Sequence, residues 1–386
     1  MTQPRASLIS LDETPWYHLV SRCVRRAFLC GKDPLTGTSY EHRRAWIEGR
    51  ILALSSVFAI DIAAYAVMSN HYHVVLRVDA SRTYGWTMEQ ILTRWTQLFT
   101  GPAPVQRYLS DDRVRMSAAE MAQVEELAEI YRARLHDISW FMRVLNESIA
   151  RQANQEDGVK GRFWEGRFKS QALLDEQALL AAMAYVDLNP IRAGIADTLE
   201  RSEYTSIARR IRNATITPDK DRNVGTGGAD NTSKLGPASS KPEMPPSPTP
   251  FRIGSRRDHA SESGPLQPEK SLQNITQASL MPFEASEAGL QHGIPFSLED
   301  YFELTETLGR CVHPMKRGFI ADKTPGLLVK LGMEPQQFLR HADHLLKTFG
   351  PVIGTADTLS ALAQRRRRRR MRGIAMARQV FQAKAA

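Results

Sequence analysis

Two runs set only two residues apart constrain this chain more than any other feature: Ile60-Asp61-Ile62-Ala63-Ala64-Tyr65-Ala66-Val67-Met68 and His71-Tyr72-His73-Val74-Val75-Leu76-Arg77-Val78. Both are rich in apolar, β-branched and aromatic residues, and a link as short as Ser69-Asn70 permits only an antiparallel hairpin. Strand side chains alternate, so His71, His73, Val75 and Arg77 share one face while Tyr72, Val74, Leu76 and Val78 share the other. One face is suited to packing. The other carries two histidines one residue apart, a spacing that can hold a metal ion.

Further elements surround the hairpin. Trp16 to Val24 has strand character and Tyr40 to Phe58 has helical periodicity; helical patterns recur at about 87–99, 117–136 and 138–154. Gly166 to Leu173 predicts a fourth strand, and Asp175 to Leu188 a helix with Asp175 at its N-cap. Pro190 ends that helix, because the residue before a proline is pushed out of helical geometry. The order predicts an α+β fold, a ferredoxin-like antiparallel sheet with helices on one face.

At 386 residues with 42% hydrophobic content, the chain is long enough for more than one domain. Residues 213–295 are rich in Pro, Ser, Gly, Asn and Asp, a composition that cannot bury enough apolar surface to offset chain entropy, and they predict a disordered linker. It separates a domain over 1–212 from a small helical module over 296–362, and a basic tail over 363–386 follows. The net charge of +9 belongs to that tail. The last 22 residues hold nine Lys and Arg and no Asp or Glu, so Arg365, Arg366 and Arg367 are candidate phosphate contacts that bind without reading sequence. No apolar run reaches the roughly 18 residues of a membrane span and the N-terminus lacks the apolar core of a signal peptide, which predicts a soluble cytoplasmic protein. Cys23, Cys30 and Cys311 form no C-x-x-C pair and read as buried free thiols.

A histidine pair needs further ligands and a nucleophile before it can do chemistry. In Ala184-Tyr185-Val186-Asp187-Leu188-Asn189-Pro190, Tyr185 and Asn189 stand four residues apart and share a helical face. Asn189 can offer an amide oxygen to the metal and Tyr185 a phenolic oxygen beside it. Zinc suits imidazole better, yet the lack of thiolates and the need to bind phosphate favour Mg²⁺ or Mn²⁺. Arg162, Phe163, Trp164, Arg167, Phe168 and Lys169 interleave cations with aromatics, the pattern of a surface that stacks bases and grips phosphates; the alternative puts the rings in the core. Arg22, Arg25, Arg26 and Arg192 are further candidate phosphate contacts. Trp140, Phe141, Val144, Leu145 and Ile149 recur at helical spacing as core.

His71-Tyr72-His73, the run Gly161 to Lys169 and the segment Tyr185 to Gly194 with its Asn-Pro pair together resemble the single-tyrosine transposases of the IS200-like superfamily, most closely the REP-associated tyrosine transposases. The resemblance spans about residues 14–200. It implies a metal-dependent enzyme that nicks hairpin-forming single-stranded DNA and transfers strands. Tyr185 would be the nucleophile that leaves a 5′-phosphotyrosine, and His71, His73 and Asn189 the ligands of Mg²⁺ or Mn²⁺. It further implies a bacterial, nucleoid-associated protein working as a monomer or homodimer. Two alternatives remain open at this level: a nickase for replication or plasmid transfer, and a DNA-binding regulator without turnover. Residues Gly101 to Asp137 stand out as an insertion relative to the compact family core.

Overall fold

A computed structural model describes residues 8–24, 29–33, 36–216, 274–284, 293–312, 326–342 and 344–381. The fold is α+β, built on a five-stranded, mostly antiparallel sheet in the order β2-β3-β1-β4-β5. Its strands are β1 (Trp16–Arg22), β2 (Ile60–Val67), β3 (His71–Val78), β4 (Lys169–Leu173) and β5 (Val352–Ile353). β2 and β3 form the expected hairpin, with Val67 opposite Tyr72 and a register shift between Ile62 and Ala64. β1 lies between β3 and β4, antiparallel to both.

Two details of the sheet depart from expectation. β5 runs parallel to β4, so the sheet is mixed rather than purely antiparallel. Helices also cover both faces. α1 (Arg43–Val57) and α6 (Ile138–Glu156) lie on the Tyr72 face: Tyr65, opposite Val74, donates from its hydroxyl to Glu48 of α1, and the Tyr72 hydroxyl donates to Asn146 of α6 at 2.7 Å. α7 (Glu176–Asp187) crosses the histidine face, where Tyr185 meets the His73 ring. The side chain of Asp175 accepts from the Ala178 N–H at 2.9 Å, which makes it the N-cap that the sequence indicates.

The stretch 101–137 folds as α4 (Ala103–Tyr108), a 3₁₀ turn and α5 (Ala118–Leu135). It packs through Tyr131, whose ring stacks on Trp95 of α3 (Met88–Thr96) at 4.7 Å. Ser117 and Glu120 close a capping box at the start of α5, which explains the abrupt onset of that helix.

The C-terminal residues join the same sheet rather than standing apart from it. Besides β5, the side chain of Asp175 accepts from the Thr355 N–H at 2.7 Å, and Arg366 pairs bidentately with Glu13. Part of the predicted linker is also fixed: Ala278 N–H donates to Leu52 O at 3.0 Å and Met281 N–H to Ile62 O at 2.9 Å. Isolated apolar residues, among them Ile275, Met281 and Phe283, dock in a polar background that averaged composition obscures. They help to cover the outer edge of β2, which an uncovered sheet would leave open to pairing. Residues 217–273 and 285–292 of that linker lie outside the described residues, as do Arg25 and Arg26. Among the described residues, no helix is long and apolar enough to cross a membrane.

Candidate functional site

The register of three strands gathers the site. Val20 lies opposite His73 and Arg22 opposite His71, while β1 also brings His18 to the same face, opposite Val75. His18 Nε2 lies 2.8 Å from His73 Nδ1, with the two rings nearly parallel. His71 and His73 rings stand edge to face at 4.9 Å, and His71 Nδ1 lies 2.6 Å from Asn70 Oδ1, which leaves His71 Nε2 as its second nitrogen. Tyr185 presents its ring to the His73 ring at 5.8 Å and the His18 ring at 6.3 Å.

Sequence reasoning passed over His18. It is 3% exposed, and the only available signal was its even spacing from Trp16 and Val20 on a strand whose pairing partner the sequence does not reveal. Gln171 on β4 was missed as well: its Oε1 lies 3.0 Å from His18 Nδ1.

α7 breaks where Pro190 withholds an N–H. The Leu188 N–H turns back to Ala184 O and Val186 O, and a short helix α8 (Asn189–Arg192) restarts beyond it. Arg192 spans this break. Its guanidinium sits 3.7 Å from the Tyr185 ring centre and donates to Tyr185 O at 2.6 Å and to Ala342 O at 3.4 Å. Expected as a phosphate contact, Arg192 is engaged in fixing the tyrosine's ring and main chain. Asn189, one turn beyond Tyr185, is buried, and its Nδ2 has no hydrogen-bond partner.

Desolvation controls the protonation of the three histidines. Burial pulls His18 down to about 4, as it does His71, where the cations Arg22 and Lys347 add to the effect. His73 falls well below its ordinary value through burial, then through His18 and His71. All three are neutral near pH 7, the state in which imidazole can ligate a metal.

The fit of a divalent ion can be tested on the orphaned atoms. His73 Nε2 is buried with no hydrogen-bond partner, an arrangement that costs free energy unless something accepts its lone pair or its proton. Together with His71 Nε2 it supplies two nitrogen ligands. Among the described residues, no three His, Cys, Asp or Glu side chains gather as a metal cluster, so a third protein ligand would have to be of another type, as Asn189 is.

The remaining candidates lie around this centre. Arg22 is exposed beside His71, and Lys169 is exposed opposite Val20. Arg167 is exposed. Arg162 is exposed too, but its guanidinium bonds Trp164 O at 2.8 Å and Glu165 O within its own loop. Trp164 is half-buried, its N–H donates to Asn146 O at 2.8 Å, and its ring packs edge-on against Tyr72 and Phe163. It anchors the loop on the face opposite the histidines. Arg365 and Arg367 are exposed, whereas the guanidinium of Arg366 is held by Glu13.

No family model matches the chain, and no curated protein does. A solved structure described as a REP-associated tyrosine transposase bound to a REP hairpin matches at 14% identity, covering 60% of this chain and 100% of that chain, with a TM-score of 0.32. The similarity is a distant one, and the reading of the site rests on its own residues.

Proposed function

We propose that the protein is a metal-dependent, single-tyrosine DNA nicking and strand-transfer enzyme acting on hairpin-forming single strands, of the REP-associated tyrosine transposase kind. The strand order β4-β1-β3-β2 with α1 and α6 on one face is read as its ferredoxin-like core. The observation that carries the proposal is the approach of Tyr185, the one described tyrosine in ring contact with His73, to a histidine face that holds an orphaned nitrogen.

The phenolic oxygen of Tyr185 attacks a DNA phosphorus, the bond from phosphorus to the 3′ oxygen breaks, and the 3′ oxygen leaves as a hydroxyl with one proton gained for the one the phenol loses. The resulting 5′-phosphotyrosine keeps the phosphodiester's free energy, so a second strand's 3′-hydroxyl can reverse the step without an external energy source. Mg²⁺ or Mn²⁺, held by His71, His73 and Asn189, would polarise a non-bridging phosphate oxygen. Arg192 restricts the tyrosine ring, which reduces the orientational freedom lost at attack. Arg22 and Lys169 would hold the strand by its phosphates.

The test is a denaturing gel of the protein incubated with labelled single-stranded hairpins from its own genomic surroundings and Mn²⁺. A covalent adduct is expected from the wild type and none from Tyr185→Phe. An adduct from Tyr185→Phe, or none from the wild type with any such hairpin, overturns the reading.

A further inference from the structure

We infer that Gln171 and His18 are positioning residues that fix the tautomer of His73, and that the chain of hydrogen bonds doing so is anchored on the main chain of Leu346 and Gly350. Every link in the chain allows only one polarity. The Gln171 side-chain Nε2 lies 3.1 Å from Leu346 O and 2.9 Å from Gly350 O. Carbonyl oxygens only accept, so the amide must turn its NH₂ group toward them. Its Oε1 therefore faces His18 Nδ1 at 3.0 Å, and an amide oxygen likewise only accepts. The proton of His18 must then sit on Nδ1.

A neutral imidazole carries one N–H, which leaves His18 Nε2 as an acceptor. The charged groups facing the histidine pair are cations: Arg192 opposes a second proton on either ring, and Arg22 one on His73. His73 Nδ1, 2.8 Å from His18 Nε2, must therefore donate. The proton of His73 is thus committed to Nδ1 and its lone pair to Nε2, the buried atom that has no partner.

This polar chain runs from β4 through β1 to β3. Its two histidines are 3% and 5% exposed, a place where apolar side chains would pack without the desolvation cost. What it achieves is a nitrogen lone pair at a fixed place, with a hydrogen bond on the ring's other nitrogen that raises its basicity. Ligand orientation on β3 consequently depends on residues 346 and 350, which lie 175 and 179 positions beyond Gln171. The use of that lone pair rests on the metal-binding reading of the proposed function; the tautomer does not.

Long-range proton–nitrogen correlation spectra of the metal-free, full-length protein with ¹⁵N-labelled histidine read the tautomer directly, with His73 assigned by difference against His73→Gln. The wild type is expected to show a single Nδ1–H tautomer at His73. Gln171→Met, similar in size but without the amide, should replace it by a mixture and weaken Mn²⁺ binding about tenfold, read by electron paramagnetic resonance. His18→Phe, which removes the acceptor for the His73 Nδ1 proton, should likewise replace the single tautomer by a mixture. An Nε2–H tautomer in the wild type, or an unchanged His73 spectrum in Gln171→Met, overturns the inference. The wild-type spectrum decides even if both variants misfold. If the tautomer is found but the wild type does not bind Mn²⁺, the metal reading fails and the tautomer assignment stands.

Discussion

Tyr185 and Asp187 stand two residues apart at the end of one helix, and their surroundings differ completely. Asp187 is fully buried and each of its oxygens is served: Ser206 Oγ and the Ile207 N–H at 3.0 Å donate to one, the Tyr301 hydroxyl at 2.7 Å to the other. It ties α7 to α9 (Ser206–Ile216) and to the helix Leu298–Val312. Tyr185 is half-buried and faces the His73 ring, whose Nε2 has no partner. Burial alone does not separate the two regions, since His73 is 5% exposed and Asp187 0%. Hydrogen-bond satisfaction does: a closed polar cluster is a structural joint, and an open one holds free energy that a ligand can recover.

The largest effects should fall on opposite properties. Tyr185→Phe should lower covalent adduct formation below detection while changing stability by less than about 0.5 kcal/mol, as an exposed-side hydroxyl with no core partner would. Asp187→Ala should cost about 3 kcal/mol in urea unfolding, because three buried donors lose their acceptor. If Asp187→Ala proves neutral in stability, or Tyr185→Phe unfolds the protein, the contrast between joint and site is wrong.

The same two regions should respond to acid with opposite sign. Folded His18 titrates at about 4 against an ordinary 6.5, so between those values the unfolded chain binds more protons; its contribution is complete above pH 6.5 and is lost as pH falls toward 4. Asp187 is raised by burial from 3.8 to about 6, so the folded chain binds more protons between those values and stability falls as pH rises through them. Each effect is on the order of 2 kcal/mol and they partly cancel between pH 4 and 6. His71 and His73 are lowered in the same sense as His18, so the wild type gains stability as pH rises from 4 to 7; unfolding curves over that range should show a smaller gain for His18→Phe and a larger one for Asp187→Asn. Identical profiles would remove the assigned charges.

The smallest effects concern the basic C-terminus. Arg365 and Arg367 are exposed, and replacing either by Ala should reduce the logarithmic salt slope of single-strand binding by roughly 0.7 each. Arg366→Ala should leave that slope nearly unchanged and cost about 1 kcal/mol of stability through the lost Glu13 pair. Equal slopes for all three variants would show that the Glu13 pair opens when DNA binds.

Much of the secondary structure is legible in the sequence because its determinants are local. The two-residue link Ser69-Asn70 dictates the hairpin, Asp175 caps α7, and Pro190 interrupts the helix after Tyr185. The alternation of β3 likewise puts His71 and His73 on one face before any partner strand is known. What could not be read are the pairings between distant segments. His18 becomes a neighbour of His73 only because β1 inserts between β3 and β4, and Gln171 only because β4 flanks β1. Composition obscures a different kind of detail: averaged over 213–295 it reports a disordered linker, but a few residues such as Met281 anchor a described part of that segment to the sheet.

The sequence by itself therefore determined which residues alternate, cap and break: the hairpin, the histidine pair on one face, and the tyrosine one turn before an Asn-Pro. These follow from backbone sterics and short-range hydrogen bonding, which act over a few residues. Only the tertiary structure decided that His18 joins the pair, that Arg192 holds Tyr185 rather than standing free, and that carbonyls at 346 and 350 reach the site through Gln171. Those outcomes depend on which strands pair and which segment adds to the edge, and such choices are settled by the burial and hydrogen-bond satisfaction of the whole core at once.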